Sequence, residues 1–424
     1  MQVTLPLQRL RLWWENAFWV IPLVGIVLGF ATSRAVQGID ATIGSAEQRL
    51  LSASSAQTLL AAIGGGMVTF TGFVFSVILL VIQFGSSAYS PRTVTYLMRA
   101  RSIQWVLATF LATTTFSFMT LIGIGSAGQA STVPVLGVAA AVLWLVLSLI
   151  GFLVLITVVS RRVTVDSLIG TMGSLARRQL RRHHTAARGR AGRRVREVPD
   201  LADEARTVRY AGRPGQVVGV DAERLERLAR QHGAHLQVLV RVGDPVSVGA
   251  AVALLAPRSG TPLPDRELSR CLLVRHERSL KHDPLYALRI LTDISLKALS
   301  PGINDPTTAA RSLAEVEGVL RVAAELPLGP VVVDAGAGKV VLPAATWSDV
   351  VDQALLEVLE AGIGQPQVTR CLSRMLTDLL ADVPPDQQAP LLRHQRRLRH
   401  DIRTAHLLEQ PVWLDGEGRG RGGR

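Results

Sequence analysis

Charged residues are almost missing from the first 160 residues of this chain. That part holds seven arginines and three acidic residues, whereas the whole chain of 424 residues has 46 Lys+Arg and 33 Asp+Glu. Four apolar stretches fill it, and no ionisable side chain lies inside any of them: Ala17 to Thr32, Leu59 to Phe84, Ile103 to Gly125 and Pro134 to Ser160. About 20 apolar residues cross the hydrocarbon core of a bilayer. Residues 1–160 are therefore predicted to form a transmembrane domain of four helices.

Lysine and cysteine are scarce throughout. Only three of the basic residues are lysines, namely Lys281, Lys297 and Lys339. Such a preference for arginine indicates GC-rich codon usage, so the net charge of +13 is not evidence for a nucleic-acid partner. The two cysteines, Cys271 and Cys371, stand far apart and outside any CxxC pattern. This excludes a disulfide scaffold and a cysteine-based metal motif, and it fits a reduced, cytoplasmic compartment.

The motifs of catalysis are also missing. Gly338 belongs to no phosphate-binding loop, because Val333 and Val340 occupy the positions that require Gly and Ser or Thr. His232 and His235 are three residues apart, but no carboxylate or cysteine nearby completes a metal site, so we expect them to be structural. The sequence contains neither GxSxG nor HExxH. We therefore expect no enzymatic activity, no cofactor and no metal.

The charges between the apolar stretches predict which way the chain crosses the membrane. Arginines precede the first stretch, lie between the second and the third, and follow the fourth. Residues 33–55 are balanced in charge, and residues 126–133 have no charge. Because basic loops stay in the cytoplasm, both termini are predicted to be cytoplasmic. Trp13, Trp14 and Trp19 are expected to anchor the first helix at the interface, which argues against a cleaved signal peptide.

The second and third apolar stretches each carry a polar stripe. Small and hydroxyl side chains recur there at steps of three or four residues, so they share one face of a helix. They either let membrane helices pack closely or line a weakly polar pore built from several subunits. An ion-coupled carrier is less favoured, because such proteins place ionisable residues at membrane depth. The stripe residues are Gly65, Thr69, Gly72, Ser76 and Gln83 in the second stretch, and Thr109, Thr113, Ser117 and Thr120 in the third.

Residues 161–205 are rich in arginine and are predicted to be a basic juxtamembrane linker. Four arginines early in this segment are expected to face anionic lipid, which attracts such charges by about 1 kcal/mol each. No aromatic residues interleave to stack on bases, so nucleic acid is not an expected partner. These arginines are Arg177, Arg178, Arg181 and Arg182.

The rest of the chain is predicted to be a cytoplasmic α+β region. Residues 206–258 form a small β-rich module with one helix, which Asp221 caps. The turn from Gly243 to Gly249 resembles that of biotinyl/lipoyl-type barrel-sandwich modules, but it has no lysine at a hairpin tip to carry a cofactor. Residues 259–412 are predicted to be mainly helical, with one hairpin around residues 336–338. We expect residues 413–424 to form a disordered tail.

A group of residues around a turn between two predicted helices in this part is a candidate site. Asp283 and Asp305 each precede a proline, as helix-capping residues do. In the turn between the two helices, Gly302 and Asn304 suit a positive φ. Asp293 lies inside a predicted helix, where we expect it to pair with Arg289 and, if it is buried, to make an interhelical or subunit contact. The candidate residues are Asp293, Ser300, Pro301, Gly302, Asn304, Asp305 and Pro306.

From about Gln8 to Leu408 the chain resembles a bacterial family of predicted membrane proteins with a domain of unknown function. One match is Gln83-Phe84-x-Ser86-Ser87-x-Tyr89-Ser90-Pro91-Arg92, and another is the turn from Gly243 to Gly249. The most specific match is Ser300-Pro301-Gly302-Ile303-Asn304-Asp305-Pro306 with its flanking residues. The resemblance implies an architecture and a location, but no reaction.

Two hypotheses about function follow. The first is a homo-oligomeric inner-membrane protein that forms a passive pathway for ions or small solutes and is regulated by its cytoplasmic region. The second is a non-conducting scaffold or sensor in the lipid membrane, whose cytoplasmic region binds a protein partner of unknown identity. The surroundings of the stripe residues distinguish them, because packing within one subunit favours the second.

Overall fold

The computed structural model describes residues 19–43, 52–88, 101–126, 135–162, 164–190, 205–257, 263–280, 283–336 and 338–404. The chain divides into two compact units, Met1–Ser167 and Leu168–Arg424. The predictions for Trp13 and Trp14, for Tyr89 to Arg92 and for the tail 413–424 concern residues outside the described ranges.

Four helices make up the described part of the first unit: α1 (Val20–Ile43), α2 (Ala53–Ala88), α3 (Arg101–Ser126) and α4 (Val135–Arg162). All four are long and apolar enough to cross a membrane. The first helix is longer than predicted, since it includes Arg34 and Asp40, which the sequence placed in a loop. The carboxylate of Asp40 accepts hydrogen bonds from the amides of Leu136 (3.3 Å) and Gly137 (3.0 Å), so it caps the start of α4.

Helix α3 lies at the centre of the first unit and packs against α1, α2 and α4. Phe110 and Phe116 on α3 are fully buried. The ring of Phe70 on α2 contacts Phe110, at 5.4 Å between centroids, and Phe152 on α4, at 4.9 Å. The core of this unit therefore forms around one face of α2 and most of α3.

The contact between α1 and α3 depends on two glycines of α1. A Cβ atom at Gly25 would lie 2.2 Å from the carbonyl oxygen of Ala108, and one at Gly29 would lie 2.4 Å from that of Ala112. Only glycine allows the two backbones to approach so closely. One and two turns further along α1, Ser33 bonds Thr120 (3.0 Å) and Gln37 donates to the carbonyl of Met119 (3.1 Å).

The second unit contains two open sheets. A five-stranded sheet has the order β1-β5-β3-β8-β7, and a three-stranded sheet has the order β4-β2-β6. The strands are β1 (Arg206–Arg209), β2 (Gly215–Val220), β3 (Ala234–Val238), β4 (Pro245–Val246), β5 (Ala251–Pro257), β6 (Leu272–Arg275), β7 (Val331–Asp334) and β8 (Lys339–Leu342). All described pairs are antiparallel except β3 with β8.

The predicted barrel-sandwich module is not shown, since these strands close no barrel in the described part of the chain. Strands of residues 206–257 are divided between both sheets, and β3 continues its sheet by pairing with β8 from the later hairpin. A strand with an open edge pairs with whichever strand supplies matching donors and acceptors. The hairpin itself was predicted, and it forms between β7 and β8.

Helices make up most of the remainder of the second unit. They are α5 (Val165–Arg190, within this unit from Leu168), α6 (Ala222–Gln231), α7 (Asp265–Ser269), α8 (Tyr286–Ala298), α9 (Pro306–Ala324), α10 (Trp347–Gly362), α11 (Pro366–Asp382) and α12 (Gln388–Thr404), with a 3-10 turn at Pro385–Gln387. Helix α8 packs against α9 and α10, α9 against α11, and α12 against α10 and α11. Much of the segment predicted as a linker is thus the helix α5, with Leu168, Ile169 and Met172 buried.

Candidate functional site

The polar stripe of α2 lies on the outer face of its unit. All five of its members are exposed, whereas Leu60, Met67 and Val74 on the opposite face are buried. The stripe consists of Gly65, Thr69, Gly72, Ser76 and Gln83. A Cβ atom built at Gly65 or Gly72 would meet nothing within 4 Å. Within one chain, the described residues therefore leave this face unpacked.

The hydroxyl hydrogens of the α2 stripe are used inside the helix. Thr69 donates to the carbonyl of Gly65 (3.3 Å), and Ser76 donates to that of Gly72 (3.0 Å). The oxygen lone pairs of both side chains thus remain available as acceptors on the outer surface. The helix is unbroken through Gly64 to Gly66. Gly64 faces inward, since its Cβ would lie 3.2 Å from the ring of Phe118.

The polar stripe of α3 has the opposite placement. Thr113, Ser117 and Thr120 are buried, and Thr109 is half-buried. Thr113 bonds Ser148 of α4 at 2.7 Å, and Thr120 bonds Ser33 of α1 at 3.0 Å. Hydroxyls that bond between neighbouring helices are a packing device, so the packing interpretation accounts for this stripe.

Ser117 is the exception within the α3 stripe. Its side chain is fully buried, and its hydroxyl oxygen has no hydrogen-bond partner among the described residues. An unpaired buried hydroxyl costs free energy. The Ser117 hydroxyl, unlike those of Thr113 and Thr120, forms no hydrogen bond between helices among the described residues.

Two of the arginines predicted to face lipid are engaged elsewhere. Arg177 donates to Glu315 of α9 at 2.7 Å, and Arg181 donates to Glu325 at 3.2 Å. Both pairs fix α5 to the helical part of the second unit. Arg178 and Arg182 lie on the exposed surface of α5.

The candidate residues between α8 and α9 form an ordered turn. Asn304 adopts the left-handed conformation with φ 48°, as predicted, whereas Gly302 does not have a positive φ. The Asn304 Oδ1 accepts a hydrogen bond from Gln365 at 2.7 Å, and Ser300 donates to the carbonyl of Lys297 at 2.6 Å. Pro301 and Gly302 are exposed.

Asp305 caps α9 as predicted, with Pro306 at the first helical position. Its carboxylate accepts from the amide of Thr308 at 3.0 Å. Hydrogen bonds from the side chain and the amide of Thr308 lower the pKa of Asp305. Capping thus gives Asp305 and Pro306 a structural role.

Asp293 and Arg289 form the predicted pair, at 2.9 Å. Arg289 also donates to Glu357 of α10 at 2.8 Å. The pair therefore lies at a contact between α8 and α10 inside the second unit, where it holds the two helices together.

Asp283 does not cap a helix as predicted, because α8 begins only at Tyr286. Its carboxylate is buried and accepts hydrogen bonds from Arg278 Nε (2.7 Å) and from the amide of Leu285 (3.0 Å). The Nη2 atom of Arg278 completes an ion pair with it at 2.6 Å. Burial raises the pKa of Asp283, and the Arg278 charge opposes that effect. The turn at Gly243, with φ +101°, packs directly on this pair.

The described residues contain no group of three His, Cys, Asp or Glu side chains that could hold a metal ion. His235 has a structural contact, since its Nδ1 accepts from the amide of Lys339 at 3.0 Å. Burial raises the pKa of the Cys271 thiol to about 12, so this cysteine has little thiolate at neutral pH.

The contact between α1 and α3 was not predicted, although the sequence contains a signal for it. Gly25-x-x-x-Gly29 is the spacing at which membrane helices commonly meet, and it mediates the contact of α1 with α3. The Arg278–Asp283 pair had no such local signal, because its packing against Gly243 joins distant parts of the chain.

The fold therefore defines a membrane protein with four apolar helices and an α+β unit in which helices predominate. The chain belongs to the family described as "Predicted membrane protein (DUF2254)", whose model matches residues 15–378. This confirms the resemblance inferred from the sequence. The chain is also similar to uncharacterized proteins of Mycobacterium tuberculosis and Mycobacterium bovis. Each is 25% identical over 374 residues, which cover 86% of this chain and 71% of the relative. No solved structure matches the chain significantly.

Proposed function

We propose that the chain assembles into a homo-oligomer in the bacterial inner membrane and forms a passive pathway for ions or small solutes. The α2 stripes of several copies would surround the shared axis. The observation that supports this is the contrast between the stripes: the α2 stripe is exposed within one chain, whereas the α3 stripe is occupied by packing.

The physics of membrane helices favours an association at α2. A helix face of glycines and hydroxyls makes few favourable contacts with lipid chains. The same small residues let a second helix approach closely. Helix α2 contains no ionisable residue, which favours a passive pathway over an ion-coupled carrier. Acceptor oxygens on Thr69 and Ser76 supply a weakly polar lining.

The second unit is proposed to regulate this pathway from the cytoplasm, with both termini on that side. Arginine-rich loops support that orientation. The chain is proposed to act without catalysis, as the sequence contains none of the motifs sought.

Conductance of the purified full-length chain in planar bilayers tests the proposal. We expect discrete currents that Gly72→Leu abolishes or strongly reduces, because the new side chain would project from the stripe. Gly66→Leu is the matched control: its Cβ also has open space, but it lies about 120° around the helix from Gly72. Silence from folded protein across voltage, tension and salt gradients would exclude the pathway. Equal effects of both substitutions would exclude the α2 stripe as its lining.

A scaffold or sensor is the second candidate, and one observation favours it. The turn between α8 and α9 holds Ile303, 41% exposed, on a backbone fixed by hydrogen bonds from the amides of Ile303 and Asn304 to the Ser300 carbonyl. An ordered apolar tip suits a protein contact. Silent bilayers, together with binding of a cytoplasmic protein that Ile303→Asp abolishes, would support this candidate.

A further inference from the structure

A buried histidine lies at the contact between α12 and α10. His394 on α12 is 2% exposed, and its Nε2 lies 2.6 Å from a carboxylate oxygen of Asp352 on α10. Arg393 donates to both oxygens of the same carboxylate, at 2.8 and 3.0 Å. The ring thus contributes directly to holding the two helices together.

The two ring nitrogens of His394 differ in their surroundings, since only Nε2 contacts the Asp352 carboxylate. Because the Asp352 carboxylate accepts a hydrogen bond from Nε2, a neutral ring carries its proton on Nε2 and leaves Nδ1 unprotonated. Nδ1 is buried and has no hydrogen-bond partner among the described residues. A second proton would therefore create a buried N–H without an acceptor, along with a buried positive charge.

The groups around the ring shift the pKa of His394 in opposite directions. Burial lowers the pKa of His394, and the Asp352 carboxylate opposes this effect. The positive charges of Arg393 and Arg397 on α12 add to the lowering. Helix α11 and the 3-10 turn also pack against α12. Asp378 and Asp386 on those elements are exposed.

We propose that His394 is a pH-sensitive latch: its neutral ring holds α12 against α10, and protonation of Nδ1 releases the helix. The sign follows from linkage. In the unfolded chain the imidazole has a pKa of about 6.5. Since the folded state binds the proton less readily, the latch is intact above that value and weakens as the pH falls through the lowered pKa of the folded state. This device does not depend on the proposed pathway.

Hydrogen exchange of the full-length protein in detergent tests the latch. Amide protection of residues 388–404 would be measured at about pH 7.5 and about pH 5.5, with correction for intrinsic exchange. We expect protection of this helix to fall about threefold or more at the lower pH. His394→Gln should remove the pH step, whereas His400→Gln, at an exposed position on the same helix, should retain it.

The midpoint of the step separates titration of the ring from a merely structural role. Asp352→Asn removes the negative charge that favours the protonated ring, so the step should move to lower pH. Protection that does not change with pH in the wild-type chain would overturn the proposal. So would a step that persists in His394→Gln or that Asp352→Asn leaves at the same pH.

Discussion

At the scale of single residues, Gly243 meets two structural demands at once, a positive φ and a close contact with a buried ion pair. Its φ of +101° suits glycine, and a Cβ atom there would lie 2.6 Å from both the Arg278 guanidinium and the Asp283 carboxylate. We expect Gly243→Ala to destabilise the second unit by about 2 kcal/mol or more, since it combines backbone strain with damage to a buried ion pair.

Chemical unfolding of the full-length protein measures this cost, and Gly249→Ala is its matched control. Gly249 also has a positive φ, of +81°, but open space around its Cβ. That substitution should cost only the backbone strain, about 1 kcal/mol. Equal losses from the two substitutions would show that the contact with Arg278 and Asp283 is unimportant.

Sequence reasoning succeeded at this scale wherever a residue acts on its near neighbours. The caps at Asp221 and Asp305, the conformation of Asn304 and the Arg289–Asp293 pair all depend on residues within four positions. Asp283 looked like another cap because a proline follows it. Its actual partners, Arg278 and the turn at Gly243, depend on tertiary packing that the local sequence does not encode.

At the scale of helices and strands, the glycines of α1 determine how the first unit packs. A Cβ atom at Gly29 would lie 2.4 Å from the carbonyl oxygen of Ala112, whereas one at Gly38 on the same helix would meet nothing within 4 Å. We expect Gly29→Ala to lower the Tm of the protein in detergent by several degrees, because α1 must move away from α3.

Gly38→Ala controls for the change of residue type on the same helix. It should leave the Tm unchanged or raise it slightly, because alanine favours a helix over glycine. A Tm for Gly29→Ala equal to that of the wild-type chain would contradict the close approach of α1 and α3.

The sequence predicts which helices and strands form better than it predicts which of them pair. The apolar stretches marked the four helices, because length and hydrophobicity are local properties. The end of α1 was misplaced, since Arg34 and Asp40 look like loop residues until Asp40 is seen to cap α4. The predicted barrel-sandwich module is not shown, because β3 pairs with β8, a distant segment that nothing in residues 206–258 specifies.

At the scale of the whole molecule, we propose that the outer face of α2 lines a pathway shared by several copies. The two stripes are similar in sequence, since both repeat small or hydroxyl residues at helical spacing. Only the structure separates them, because it shows that one is occupied by α1 and α4 and that the other remains exposed.

Thiol labelling during current recording tests whether the outer face of α2 lines the pathway. In a Ser76→Cys chain, a charged, membrane-impermeant thiol reagent should reduce the current, because the new cysteine would face the pathway. Val77→Cys is the matched control, since Val77 is also exposed but lies about 100° around the helix. Cys271 should contribute little, as its pKa of about 12 keeps it protonated. We expect block in Ser76→Cys alone. No block there, or the same block in Val77→Cys, would contradict a pathway lined by this face of α2.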